Sequence, residues 1–115
     1  MNIQVSLMKY AITYLSKFSS SKKNLSRILK NKIMRMHIEK KDKFFLYSSI
    51  PQIISKLENN KLINDNTYTL SKIRSFVHQG KSKLFINNYL IQKGIEKIII
   101  SNSIKEFEYL NPSWE

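Results

Sequence analysis

Two stretches of this chain repeat each other at a constant offset of 61 residues, and that repetition limits the fold more than any other feature. Ser21-Lys-Lys-Asn-Leu-Ser-Arg-Ile-Leu-Lys-Asn-Lys32 and Ser82-Lys-Leu-Phe-Ile-Asn-Asn-Tyr-Leu-Ile-Gln-Lys93 share one plan. Each runs from serine to Leu25 or Ile86 four residues on, then to Leu29 or Leu90, then to Lys32 or Lys93. A serine ahead of apolar residues at four-residue spacing marks a capped amphipathic helix. Between the copies, Leu62-Ile63-Asn64-Asp65 carries a helix stop followed by a helix start. One helix echoed at a fixed offset is the mark of tandem helical repeats.

The remaining segments supply more helices. Leu7, Met8, Ala11, Ile12, Leu15 and Phe18 predict a first helix, which stops in Ser19-Ser20-Ser21. The second carries Leu25, Ile28, Leu29, Ile33 and Met36 on one stripe, and Lys23, Arg27 and Lys30 on another. With no glycine to end it, this helix is expected to continue toward Lys40-Lys41-Asp42-Lys43. Phe44-Phe45-Leu46 is expected to plug the core. A third helix follows from Ile50, Ile53, Ile54 and Leu57, with Pro51 in its first turn, and closes at Asn59-Asn60. Leu62 and Ile63 then pack back. Asp65 or Asn64 caps a fourth helix bearing Leu70, Ile73, Phe76 and Val77, which ends before Gly80. Ser82 caps the fifth, with Leu84 or Phe85, Ile86, Tyr89 and Leu90 inward and Gly94 just past its end. The sixth opens at Ile95 and carries Ile98, Ile99, Ile104 and Phe107. The expected fold is all-α: a first three-helix repeat over 1–63, a second over 64–110, and 111–115 as a tail or the start of a missing third repeat.

Composition fits such a chain. At 115 residues, 42% of them hydrophobic, it can bury a core. No cysteine is present, so a disulfide framework or thiolate metal site is excluded. Two Gly and two Pro argue against a turn-rich β fold. No apolar run reaches the roughly 20 residues of a membrane span, and Met1-Asn2-Ile3-Gln4-Val5 lacks the plan of a signal peptide. A cytoplasmic protein is expected.

The formal net charge is +12, which favours polyanionic partners, nucleic acid first. Abundant Lys, Ile and Asn (17, 17 and 11 residues) are what AT-rich codon usage produces, so the distribution of charge is more telling than its sum. Residues 1–43 hold 11 Lys/Arg against 2 acids; residues 44–115 hold 9 against 6. Codon bias acts on both parts alike and leaves this asymmetry standing. The basic residues of the second helix and beyond, Lys22, Lys23, Arg27, Lys30, Arg35, Lys40, Lys41 and Lys43, are candidates for contact with a phosphate backbone or an acidic protein surface. Arg74, Lys81 and Lys83 form a smaller second set. The alternative for both is a solvated helix face. Phe18, Phe76, Phe85, Tyr89 and Phe107 fall on core stripes, which leaves Tyr14, Tyr47 and Tyr68 less constrained. His37 and His78 have no carboxylate at ligand spacing, and Glu106 and Glu108 sit at a helix end. No nucleophile triad, phosphate loop or HExxH pattern occurs, so neither an enzyme, a metal nor a cofactor is expected.

These segments resemble the regulatory protein RecX family. The resemblance lies in Ala11-Ile-Thr-Tyr-Leu-Ser followed by Ser20-Ser21-Lys-Lys-Asn-Leu25, and in the joint Leu57-Glu-Asn-Asn-Lys-Leu62-Ile63-Asn64-Asp65. It continues through Gly80-Lys81-Ser82 and Ile86-Asn-Asn-Tyr-Leu90-Ile-Gln-Lys93-Gly94-Ile95, covering roughly residues 7–107. Asn64 stands where the family often has Asp, Asn60-Lys61 where Gly is frequent, and the second helix is the longer version. A third repeat, usual in members, is not seen. The resemblance implies an elongated or curved helical array, working as a monomer. It also implies a non-enzymatic modulator that binds the RecA–single-stranded DNA filament, blocks its growth and damps its activity. Two other readings stand beside it: a general nucleic-acid-binding helical module that inserts its second helix into a groove, and a membrane-surface protein binding through residues 21–43. The last is disfavoured because the core needs that helix's apolar stripe.

Overall fold

The computed structural model describes residues 3–114, and among them every regular element is helical. Six helices follow in order: α1 (Ile3–Lys17), α2 (Lys22–Arg35), α3 (Lys40–Asn59), α4 (Asp65–His78), α5 (Lys83–Gln92) and α6 (Lys97–Leu110). They divide into two compact units, Met1–Ile63 and Asn64–Glu115, of three helices each. The all-α repeat fold is therefore the one the periodicity predicts.

The echoed serines do the same work in each unit. Ser21 accepts a hydrogen bond from the Asn24 amide and Ser82 from the Phe85 amide, each at 3.1 Å. Their backbones are nearly superposable, with φ, ψ of −78°, 161° and −75°, 161°. Each cap satisfies a helix-start N–H that has no intrahelical partner, which stabilises by about 1 kcal/mol. Downstream, Leu25 and Leu29 in α2 and Ile86 and Leu90 in α5 are fully buried. Asn64, rather than Asp65, caps α4: its carboxamide oxygen accepts from the amides of Asn66 (2.8 Å) and Thr67 (3.1 Å). Asp65 becomes the first helical residue, where the positive end of the helix dipole favours a carboxylate.

Three helices stop by one device. After α3, the Leu62 amide donates to the Leu57 carbonyl (2.8 Å) and that of Lys61 to Glu58 (3.0 Å). The same pair of bonds joins Lys81 to Phe76 and Gly80 to Val77 after α4, and Ile95 to Leu90 and Gly94 to Ile91 after α5. This closure places one residue in the left-handed region. Gly80 (φ 80°) and Gly94 (φ 79°) meet that demand freely, whereas Lys61 (φ 61°) does so against its own Cβ. A Lys61→Gly variant is expected to be more stable by roughly 0.5–1 kcal/mol in urea denaturation, after the added unfolded-chain entropy is subtracted. An unchanged or lower midpoint would show that the lysine is not strained.

The second helix does not run on to Lys43. It ends at Arg35, where Met36 turns extended (φ −72°, ψ 141°) and its amide returns to the Ile33 carbonyl at 3.1 Å. Half-buried Met36 and Ile38 then fold back on the first core, so burial ends this helix where a glycine ends others. The third helix starts at Lys40, and Pro51 lies in its interior, not its first turn. Pro51 removes one backbone donor, and being exposed it keeps its ring on the solvent side. Phe44 and Phe45 are exposed and only Leu46 is buried, so the expected aromatic plug is a single leucine. Phe18, Phe85, Leu84, Leu62 and Ile98 are also exposed, against expectation. Phe76, Tyr89 and Phe107 do pack against the second core, half-buried. Phe76 stands edge-on to Phe85 and to Tyr89, at 5.3 and 4.7 Å.

The two units share a buried pattern on their third helices. Leu46, Ser49, Ile50 and Ile53 in α3 match Ile100, Ser103, Ile104 and Phe107 in α6, with a buried serine at the same place in each. Here the offset is 54 residues, against 61 at the serine caps. The seven-residue difference is divided: α2 has 14 residues where α5 has 10, and α3 gains three before its pattern begins. Both interhelical turns are four residues long. The α2–α3 hairpin is thus the α5–α6 hairpin lengthened by about one turn on each arm, roughly 5 Å.

Candidate nucleic-acid interface

The extra length is basic. Unit one carries 13 Lys/Arg against 3 acids, formally +10, and unit two 7 against 5, formally +2. Helical phase sorts these charges. Leu25, Leu29 and Ile33 define the buried face of α2, and Lys23, two residues from Leu25, lies about 200° around the helix. Lys23, Arg27 and Lys30, at i, i+4 and i+7, therefore form one outward stripe, and all three are exposed. Met34 extends it by a turn and is 61% exposed. Arg27 donates to the Asn24 side-chain oxygen, which holds its guanidinium along the stripe. Arg35 is exposed at the end of α2, and Lys40 and Lys41 are exposed in the first turn of α3.

Other candidates have structural duties. Lys22 pairs with Glu58 of α3 at 3.0 Å. Lys43 donates from Nζ to the Met34 carbonyl at 2.9 Å, capping one of the carbonyls that α2 leaves without an intrahelical donor. In unit two, Lys83 pairs with Glu108 and lies 5.0 Å from the Trp114 ring centroid. Arg74 and Lys81 remain exposed there, Lys81 lying 4.9 Å from the Phe85 ring centroid. Lys32 belongs to none of these sets: its ammonium sits 5.0 Å from the Tyr10 centroid and ties α2 to α1.

The structure also brings forward residues that the sequence reading misplaces. Phe44 is 75% exposed, one turn beyond Lys40 and Lys41, with Phe45 and Tyr47 exposed beside it. The signal is present in the chain. Extending the Leu46–Ile50–Ile53–Leu57 stripe backward puts Phe44 about 200° from Leu46, hence outward. A depression of about 300 Å³ between α1 and α3 is lined by Val5, Met8 and Ile53, with Gln4, Lys9, Gln52 and Lys56. This lining offers amines and amides but no carboxylate, imidazole or thiol. Among the described residues no three His, Cys, Asp or Glu side chains converge to hold a metal ion. No helix among them is long and apolar enough to cross a membrane.

Comparison with known proteins finds relatives by sequence. The chain is 31% identical over 99 residues to the regulatory protein RecX of Bacillus mycoides, covering 84% of this chain and 32% of that protein. The figures are the same for the regulatory protein RecX of Bacillus cytotoxicus. The regulatory protein RecX of Streptococcus mutans is 31% identical over 61 residues, covering 52% of this chain and 24% of that protein. The chain thus spans about a third of the length of the curated relatives it matches. No family model matches it, and no solved structure does.

Proposed function

This chain belongs to the regulatory protein RecX family, and on that premise we propose that it regulates the RecA recombinase in the cytoplasm. It does so without chemistry of its own. As a monomer it engages the RecA filament on single-stranded DNA and limits the filament's growth and activity. The observation that carries this reading is the outward stripe of Lys23, Arg27 and Lys30 on a hairpin that is both longer and more basic than its counterpart. A polyanionic filament attracts such a surface at long range. Arg35, Lys40 and Lys41 extend the contact to the hairpin end, with Arg74 and Lys81 as a weaker set in the second unit.

The test is a RecA assay on single-stranded DNA, reading ATP hydrolysis and strand exchange against the concentration of this chain. Inhibition is expected where the chain alone hardly shifts the same DNA. Equal occupancy of naked DNA at the inhibiting concentration supports the second reading, a general nucleic-acid-binding module. That reading draws on the same basic helix, entering a groove.

A further inference from the structure

We propose that the end of the α2–α3 hairpin is a stacking site for unpaired bases, with Phe44 as the platform and Lys40 and Lys41 as its phosphate contacts. This names the ligand class of the basic hairpin, and for its place in a filament it rests on the regulatory reading above.

An isolated exposed apolar residue needs no explanation; here the company matters. Phe44 is 75% exposed, and Met34, Phe45 and Tyr47 are exposed on the same hairpin end. The Lys43–Met34 bond holds the first turns of α3 against the end of α2, so this cluster is fixed rather than trailing. Lys40 and Lys41 precede Phe44 by four and three residues, which places both ammoniums on its side of the helix. Asp42, two residues from Phe44, faces the other way and is half-buried. Glu39, the remaining nearby acid, precedes the helix as its N-cap residue. The hairpin end thus offers a bare aromatic face, two cations one turn away, and no carboxylate on the same face.

That combination suits a single strand. Bases in a duplex are already stacked and hide their faces, whereas an unpaired base can lie on an aromatic ring while its phosphates meet lysines. A purely apolar protein pocket would bury the ring but leave the flanking ammoniums without counter-charge. The corresponding position of the shorter α5–α6 hairpin, 54 residues on, is Ile98, which is 62% exposed but carries no ring, and the added residues before Phe44 supply Lys40 and Lys41.

The test measures fluorescence anisotropy of labelled dT oligonucleotides and of a mixed-sequence duplex with the full chain. Phe44→Ala is expected to weaken dT binding about 5- to 100-fold, the effect of one lost stacked base, with duplex affinity changed less than about twofold. Phe44→Leu should behave like Phe44→Ala, since it keeps apolar area but loses the ring. Phe44→Trp should bind dT like wild type, and in a Trp114→Phe background its emission should be quenched by dT. Lys40→Ala with Lys41→Ala should lower the log–log salt slope for dT by roughly 1.4. Because Phe44 is exposed, circular dichroism is expected to be unchanged throughout. Full dT affinity in Phe44→Ala, or absence of dT binding by the wild-type chain, would overturn the proposal. So would recovery of binding in Phe44→Leu, or equal losses on duplex. If Phe44→Ala loses RecA inhibition but keeps dT binding, the residue is a protein contact and only the stacking site fails. If dT binding depends on Phe44 but the wild-type chain does not inhibit RecA, the regulatory reading alone fails.

Discussion

Lys23, Arg27 and Lys30 changed together to Glu are expected to lower affinity for a RecA filament or single-stranded DNA by roughly a hundredfold or more near physiological salt, and to abolish inhibition. Three phosphate contacts on a single strand account for about 2 in log–log salt slope, and reversal adds repulsion to their loss. The helix is expected to survive. All three side chains are exposed, none makes an ion pair among the described residues, and the buried stripe of Leu25, Leu29 and Ile33 is untouched. The Lys23→Glu change also puts a carboxylate in the first turn of α2, where the dipole favours an anion. Far-UV circular dichroism of the triple variant should therefore overlay that of wild type. Unchanged inhibition would move the contact to Arg74 and Lys81.

The second large effect is on stability. Leu29→Ala and Leu90→Ala are each expected to destabilise by about 2–5 kcal/mol, because both side chains are fully buried and each replacement leaves a cavity. They act on different cores, Leu29 on that of unit one and Leu90 on that of unit two. The single tryptophan separates them. Trp114 packs edge-on against Phe107 with centroids 5.1 Å apart, so its fluorescence reports unit two. In urea, Leu90→Ala should move the tryptophan transition to lower denaturant, and Leu29→Ala should move the circular dichroism transition. A loss below about 1 kcal/mol at either position would contradict its burial.

The legible parts of this fold are those where chemistry is local. Ser21 and Ser82 announce caps because a hydroxyl three residues before a free amide is a property of the immediate neighbourhood, not of the fold. Gly80 and Gly94 announce stops for a similar reason, since the left-handed closing residue prefers no Cβ. Lys61 makes the same closure without the glycine that would advertise it, and only the asparagines before it mark the place. The end of α2 is not legible. Met36 leaves the helix where Met36 and Ile38 find burial against the first core, and that core is assembled from residues distant along the chain. Running α2 on too far puts Lys40, Lys41 and Lys43 on the wrong helix and hides the start of α3, so Phe44 reads as inward when its phase points outward. Among the basic residues, nothing in the sequence distinguishes Lys30, exposed, from Lys43, which bonds a backbone carbonyl nine residues away. Charge is visible in a sequence; a partner distant along the chain is not.

The division of the seven additional residues, four in α2 and three in α3, has a bearing on how such a hairpin can vary. Four residues advance a helix by about 400° and three by about 300°, so each arm returns to within about 60° of its original phase. The residues facing the core before and after the insertion keep their neighbours. Adding one residue to either arm would instead swing everything beyond it by about 100° and carry an apolar stripe into solvent. Length in this hairpin is therefore most readily added in steps of about three or four residues on an arm. Its reach can change by whole rungs while the packing beneath stays the same.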